Sequence, residues 1–454
     1  MTNSNDALRL AAERAVSYVE GMSDRRVAPA PAAVAALSSL RESLPESSTD
    51  PCRVIELLDD IGSPTTMAST AGRYFGFVIG GTLPAAMAAN WLAGAWGQNA
   101  ALRVMSPIAA ELEDIVLGWI CEALALPREC AGGFVTCATA ANFSALAAAR
   151  SALLARDGWN VEDDGLFGAP PIDVIVGDEY HASMEKALSM VGFGKSRVTR
   201  VPTDAQGRMR ADAFPPTLSR RTVVCIQAGN VNTGAFDPAD EICARAKAAG
   251  AWVHVDGAFG LWARLSPKYA DHTRGLYLAD SWATDAHKWL NVGYDSGVVL
   301  VRDGTALRRA MGMSAAYLQG STLREPMHHV PESSRRARGV ELWAAMKSLG
   351  RNGMRDMIER TCDLAGLFAE RLRAAGCNVL NDVVINQVLV SFGSATRTER
   401  VIRRVQEDGT CWCGGTVWHG TPAMRISVSN WSTTRDDIER SAAAVIRIAS
   451  ETAA

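Results

Sequence analysis

From Gly132 onward, short apolar runs alternate with longer stretches in which apolar side chains recur every three or four positions. The runs GGFVTC, IDVIVG, TVVCIQAG, AWVHVDG, DSWATDA and SGVVLVR predict strands, and ANFSALAAARSALLA, SMEKALSM and ADEICARAKAAG between them predict helices. Such alternation points to the α/β class, a mostly parallel sheet covered by helices. Upstream, MTNSNDALRLAAERAVSYVEG carries charges through its apolar positions and predicts an amphipathic helix, and Ala28-Pro29-Ala30-Pro31 interrupts the helices that follow. Residues 84–125 are strongly helical. Beyond the polar, proline-containing segment 319–338, a helix near 339–375 leads to VVINQVLVSF, a helix near 397–407, the strand AMRISVSN and a last helix after Thr434. The organisation expected is a helical arm (1–70), a large domain (71–310), a mobile loop and linker (311–338) and a smaller C-terminal α+β domain (339–454).

Composition narrows the function classes. With 454 residues, 48% hydrophobic and 21% charged, the chain is long enough for a large buried core. Lys+Arg at 46 against Asp+Glu at 49 leaves no basic footprint for nucleic acid or an anionic membrane surface. No apolar run approaches the ~20 residues of a membrane span, and the charged N-terminus reads as an amphipathic helix rather than a signal peptide. A cytoplasmic protein with a small-molecule partner is expected. Ten cysteines are scattered without C-x-x-C spacing, which predicts reduced, mostly buried thiols. Cys411 and Cys413 would share one face of a strand, but no His or Cys pair nearby completes a metal site, and no metal is expected.

Four segments carry candidate chemistry. Asp285-Ala286-His287-Lys288-Trp289 puts a lysine in a loop between two buried strands. A partly desolvated lysine loses proton affinity and becomes the amine nucleophile of Schiff-base chemistry. In Trp252-Val253-His254-Val255-Asp256-Gly257-Ala258 an acid follows an apolar strand, at the end where open α/β sheets place ligands. A carboxylate there can pair with a protonated pyridine nitrogen, with Gly257 and Ala258 small enough for a flat ring. The strand, small-residue turn and helix of Gly132–Asn142 offer backbone N–H groups and the Thr139 hydroxyl to a phosphate, without the G-x-G-x-x-G or P-loop patterns. His181, where a strand gives way to a helix, can present an imidazole to a cofactor ring.

Together these segments resemble the group II pyridoxal-phosphate (PLP) dependent amino-acid decarboxylases of the aspartate-aminotransferase fold (fold type I), relatives of the aromatic-L-amino-acid and glutamate decarboxylases. The resemblance runs from Arg73-Tyr74-Phe75-Gly76-Phe77 and SPIAAELE through HASMEKA, NTGAFDP, HVDGAFG, DAHKW and RRARGVELW to RISVSNW. It implies PLP on Lys288, Asp256 at the pyridine nitrogen, Ala258 under the ring, His181 stacked on it, and phosphate contacts from Ala138, Thr139, Asp285 and His287. It further implies decarboxylation of an L-amino acid to the amine through a Schiff base and a quinonoid, in a homodimer with active sites at the subunit interface.

This chain also departs from that pattern. The loop reading Leu323-Arg324-Glu325-Pro326-Met327-His328-His329 lacks the tyrosine thought to protonate carbon, and none follows Tyr317. His329, or His328, is the replacement acid on this reading. Gln227 stands where relatives are threonine-rich near the ring hydroxyl. Phe77, Asn99, Ala101 and Arg103 fall at substrate-facing positions, where Arg103 can meet an acidic side chain. The rival readings are another PLP reaction on the same scaffold (carbon–carbon lyase, decarboxylation-dependent aldehyde synthase or aminotransferase) and a non-catalytic, PLP-binding regulatory homologue.

Overall fold

The computed structural model describes residues 5–313 and 323–452. The part of the expected 311–338 loop that spans 314–322, Tyr317 included, lies outside the described residues. The chain forms two compact units: Met1–Ile79 with Gly366–Leu380 and Val388–Ala454, and Gly80–Ala365 with Asn381–Gln387.

In the larger unit seven strands build one sheet: β1 (Ala131–Val135), β2 (Asp173–Gly177), β3 (Val198–Val201), β4 (Thr222–Gln227), β5 (Trp252–Asp256), β6 (Ser281–Asp285) and β7 (Gly297–Val301). Their order is β1-β7-β6-β5-β4-β2-β3, with only β7 antiparallel, lying between β1 and β6. Strands β4 to β7 are buried at every position, which explains their nearly unbroken apolar runs. The edge strand β3 escapes the hydrophobic pattern because Val-Thr-Arg-Val exposes its middle residues.

The helix Ala138–Ala155 lies against this sheet, with Ala141, Ala145, Ala148 and Ala149 fully buried beside Val299, Val301 and Ala283. Small side chains let helix and sheet backbones approach, and the alanine run also favours helix. The region read as one helical segment, 84–125, contains two helices, Pro84–Trp96 and Pro107–Ala123. Gly97 adopts a left-handed conformation (φ 61°) that ends the first. Pro107, with Ser106 accepting from the Ala109 N–H at 3.3 Å, starts the second. The long helix Gly339–Ala374 is broken at Gly350 (φ 61°, ψ 178°).

The smaller unit holds a four-stranded sheet of β8 (Asn378–Val379), β9 (Gln387–Ser391), β10 (Gly414–Trp418) and β11 (Thr421–Ser427), ordered β10-β11-β9-β8. β10 begins Gly-Gly, which hides it from a propensity reading. Residues just after the expected arm, at the start of the expected large domain, join this unit through non-local bonds: the Phe75 N–H donates to the Trp412 carbonyl at 2.8 Å and the Ser427 N–H to the Phe75 carbonyl at 3.0 Å. Buried Arg73 reaches the Thr410 carbonyl at 2.8 Å and Asp437 at 3.4 Å. Packing thus groups the two chain ends, along lines other than the linear partition into arm, large domain and small domain. Among the described residues, no helix is long and apolar enough to cross a membrane.

Candidate active site

Strands β4, β5 and β6 end side by side on Gln227, Asp256 and Asp285: Gln227 pairs with Asp256, and Asp256 with Ala283. These are the carboxyl ends of parallel strands, where the sheet geometry leaves room for a ligand.

Beyond β6 the chain makes a closed turn before returning as β7. The Ala286 and His287 N–H groups both donate to the Ser296 carbonyl (2.9 and 3.2 Å), and the Asn291 N–H donates to the Lys288 carbonyl (3.2 Å). Asn291 takes a left-handed conformation (φ 58°) that asparagine tolerates. Gly80 lies so close that a Cβ there would meet the Lys288 carbonyl oxygen at 1.8 Å, so only glycine fits. Lys288, 20% exposed, is thereby presented with its Nζ 3.0 Å from Asp285 Oδ2.

Buried Asp285 serves two partners. Its Oδ1 accepts the Ala138 N–H at 2.5 Å, at the start of the helix Ala138–Ala155, whose N-cap Cys137 makes no side-chain cap bond. Gly297, opening β7, is required here as well, since a Cβ would stand 2.7 Å from the Cys137 backbone. His287 is buried with Nδ1 accepting the Ser296 N–H (3.1 Å), Nε2 3.7 Å from Asp285 Oδ2, and its ring 4.4 Å from that of Tyr294. Burial pushes the His287 pKa below the usual range, against the pull of Asp285.

Asp256 is buried, with Oδ2 accepting from Asn142 Nδ2 (3.3 Å) and Oδ1 from the Ala258 N–H (3.3 Å). Ala258 is half-buried, and its carbonyl takes the Asp285 N–H (2.8 Å), tying the two acidic corners together. His254, also on β5, lies 2.9 Å from Asn142 through Nε2 and 2.9 Å from Ser281 through Nδ1. Asn142, His254 and Ser281 were not singled out by the sequence reading. The visible signal was a histidine inside an apolar strand, two positions before the acid and so on its face.

His181 is exposed at the N-cap of the helix Ala182–Met190, its Nδ1 accepting the Ser183 N–H (3.1 Å). The Gln227 amide, matched donor to acceptor, takes the His181 N–H on its oxygen (3.1 Å) and gives to the Glu179 carbonyl (3.2 Å). Gln227 thus holds the segment that carries His181.

The positions expected to face the substrate and the loop are stitched together. The Met327 N–H donates to the Ala101 carbonyl (3.0 Å), Asn99 Oδ1 accepts the Arg335 N–H (3.2 Å), and the Arg103 N–H donates to Glu325 (2.7 Å). The Arg103 guanidinium pairs with Glu111 (2.9 Å) and Asp114 (2.5 Å) of the neighbouring helix. His329 is buried, Nδ1 bonded to the Glu325 carbonyl at 3.2 Å, and burial drops its pKa to about 3. His328 is lowered in the same direction, and its Nδ1 accepts the Met313 N–H at 3.3 Å. Phe77 belongs to the smaller unit, where it is 59% exposed with its ring 5.3 Å from that of Trp412.

Within the larger unit, then, Lys288, Asp285, His287, Ala138, Asp256 and Ala258 are linked by direct contacts, and Gln227 carries His181 beside them. A partly exposed lysine amine, a buried acid and a helix start without a side-chain cap form a donor set that fits pyridoxal phosphate: amine for the aldehyde carbon, acid for the ring nitrogen, N–H groups for the phosphate. Among the described residues no group of three His, Cys, Asp or Glu is placed to hold a metal.

Comparison with known proteins agrees. An aromatic-L-amino-acid decarboxylase of Bacillus atrophaeus is 29% identical over 341 residues, 72% of this chain and 68% of its own. Tryptophan decarboxylase 1 of Oryza sativa subsp. japonica is 27% identical over 79% of this chain and 76% of its own. The crystal structure of Oryza sativa TDC with PLP and tryptamine matches the fold with a TM-score of 0.90 at 22% identity, over 99% of both chains. Residues 40–393 match the pyridoxal-dependent decarboxylase conserved domain. With its seven-stranded sheet and its lysine and acids on one edge, the chain belongs to the pyridoxal-dependent decarboxylases, carboxy-lyases that work with pyridoxal phosphate.

Proposed function

We propose that this protein converts an L-amino acid to the corresponding amine and CO2, with pyridoxal phosphate held by Lys288. The observation that carries the reading is the Lys288 amine 3.0 Å from buried Asp285, whose second oxygen takes the first N–H of the helix at Ala138. The cofactor, when bound, supplies an electron sink for the bond that breaks at the α-carbon.

The chain's own residues do the rest. Lys288 provides the attachment amine, and Asp285 keeps that amine in place. Asp256 would pair with the ring nitrogen, Ala258 would leave space for the ring, and His181, on a segment held by Gln227, would stack on it. Thr139, with Ala138 and His287, receives the phosphate. Because the Ala138 N–H is already given to Asp285, the later N–H groups of that helix turn and the Thr139 hydroxyl carry most of the anion binding. Asn99 and Ala101 face the substrate side chain. Arg103 already has two carboxylate partners and supports the segment instead of waiting for an acidic substrate. The relatives named above make aromatic amino acids the first substrates to test. A cytoplasmic homodimer with active sites at the subunit interface completes the reading, in keeping with ten free thiols.

One observation favours a second outcome. The loop offers His329 in place of tyrosine, and its pKa of about 3 keeps that ring neutral at pH 7. A neutral imidazole is a poor proton donor. If His329 is the carbon acid, His329→Asn slows amine formation. If no acid acts there, decarboxylation with oxidative deamination competes, in which dioxygen takes two electrons to become H2O2, water displaces the nitrogen as ammonia and the aldehyde is left. Assaying CO2, amine, aldehyde and H2O2 from a panel of amino acids separates these. One amine per CO2 is expected; aldehyde with stoichiometric H2O2 would sink simple decarboxylation.

A further inference from the structure

Behind Asp256 stands a buried file of hydrogen bonds that the cofactor contacts do not use. Trp252 Nε1 lies 2.9 Å from Ser281 Oγ, Ser281 Oγ 2.9 Å from His254 Nδ1, His254 Nε2 2.9 Å from Asn142 Oδ1, and Asn142 Nδ2 3.3 Å from Asp256 Oδ2. All four supporting side chains are buried. The direction of the file follows from its ends. An indole N–H can only donate, and a carboxylate can only accept. Asn142 must therefore turn its NH2 to Asp256 and its oxygen to His254. The oxygen requires a proton on His254 Nε2, so Nδ1 carries the lone pair and takes the Ser281 hydroxyl proton. The Ser281 oxygen remains as acceptor for Trp252. Burial lowers the His254 pKa to about 4, which keeps the ring in the single-proton form that the file needs.

We propose that Trp252, Ser281, His254 and Asn142 form a positioning relay that fixes the His254 tautomer and so holds the Asp256 side chain in the orientation aimed at the pyridine nitrogen. The inference rests on the assignment of Asp256 to that nitrogen. Asn142 and the Ala258 N–H each donate to one oxygen of Asp256, so both oxygens are held in place. Reversing the file would present the Asn142 oxygen to Asp256, oxygen against oxygen. None of the four supporting residues needs to touch the cofactor to act in this way.

The test uses full-length protein reconstituted with PLP labelled with ¹⁵N in the ring. In His254→Leu the PLP Kd is expected to rise about tenfold, with the ring ¹⁵N resonance moving toward its unprotonated position. His254→Gln, whose amide can still donate to Asn142, is expected to recover most of both. Ser281→Ala, which removes one oxygen and frees the tautomer, is expected to fall between. Melting temperatures of the apoproteins verify folding, and Ser281→Ala keeps the test alive if His254→Leu does not fold. Variants that bind PLP with wild-type Kd and wild-type ¹⁵N shift overturn the relay. So does weaker binding with an unchanged ¹⁵N shift, which assigns these residues to packing alone. A wild-type protein lacking the cofactor band near ~420 nm overturns the functional reading itself, a result distinct from either.

Discussion

The acidic edge of the sheet and the loop beyond residue 323 are both buried polar regions, yet they are held by opposite means. Around Asp256 the groups are neutral except for the acid, and every donor from Trp252 to Asn142 meets an acceptor. Around the loop the groups are ions. Fully buried Glu113 binds Arg335 at 2.5 Å and Arg324 at 3.4 Å, and Arg324 reaches Asp114 at 3.0 Å and the Gly132 carbonyl at 2.8 Å. Here the buried Nε atoms of Arg103, Arg324 and Arg335 and one oxygen of Glu332 have no hydrogen-bond partner among the described residues. A complete neutral file leaves little reason to rearrange, whereas an ionic cluster with spare donors carries desolvation cost and has bonds still to make. On the proposed function, the neutral file backs the residue assigned to the cofactor ring, and the ionic cluster carries the segment proposed to decide the product.

Several experiments break or sharpen this contrast. Lys288→Ala, at the rigid edge, is expected to lower turnover at least about ten-thousandfold, or ~5 kcal/mol, and to abolish the ~420 nm band; spectra and CO2 release read both. At the ionic side, Glu113→Gln leaves two arginines facing a neutral amide and is expected to cost ~3–5 kcal/mol in urea unfolding. A loss under ~1 kcal/mol there would mean that Asp114 and the carbonyls suffice, and the contrast would fail.

His254 makes a smaller, pH-dependent difference. Its pKa is about 4 in the fold against an ordinary value near 6.5, so the unfolded chain takes up the proton first. Its contribution is intact above about pH 6.5 and is lost as pH falls toward 4, by up to ~3 kcal/mol. His329, lowered to about 3, adds a slope of the same sign, so the readout is wild type minus His254→Gln across pH 7 to 4. Parallel curves would refute a neutral buried His254. Smallest, Gly297→Ala pushes a methyl against the Cys137 backbone and is expected to cost ~1–3 kcal/mol, with weaker PLP binding as the local sign of a displaced helix start. Wild-type affinity in that variant would show that the turn can yield.

Residues that announce themselves by standing where a charge or a small side chain is out of place were readable in the chain. Lys288 and Asp256 follow apolar strands, and the small residues from Ala138 onward open a helix. The antiparallel return of β7 was not readable, because its direction is set by the closed turn through Ser296 and not by its own apolar run. The partners of His254 are 27 and 112 positions away, and Arg335 is 222 positions from Glu113. No local period encodes such pairs. The neutrality of His329 was equally hidden, since it comes first from burial, which the loop's sequence does not show, and only then from the nearby charges of Arg324, His328 and Arg308.

Asp285 gives this architecture a thermodynamic linkage. One carboxylate holds the Lys288 amine with one oxygen and the Ala138 N–H with the other. On the proposed assignment, the amine that would take the aldehyde carbon and the helix start that would receive the phosphate are thus tied to a single side chain. Tension at either end is felt at the other, so pyridoxal without its phosphate and inorganic phosphate should bind more tightly together than apart. Asp285→Asn should reduce that cooperativity toward simple addition.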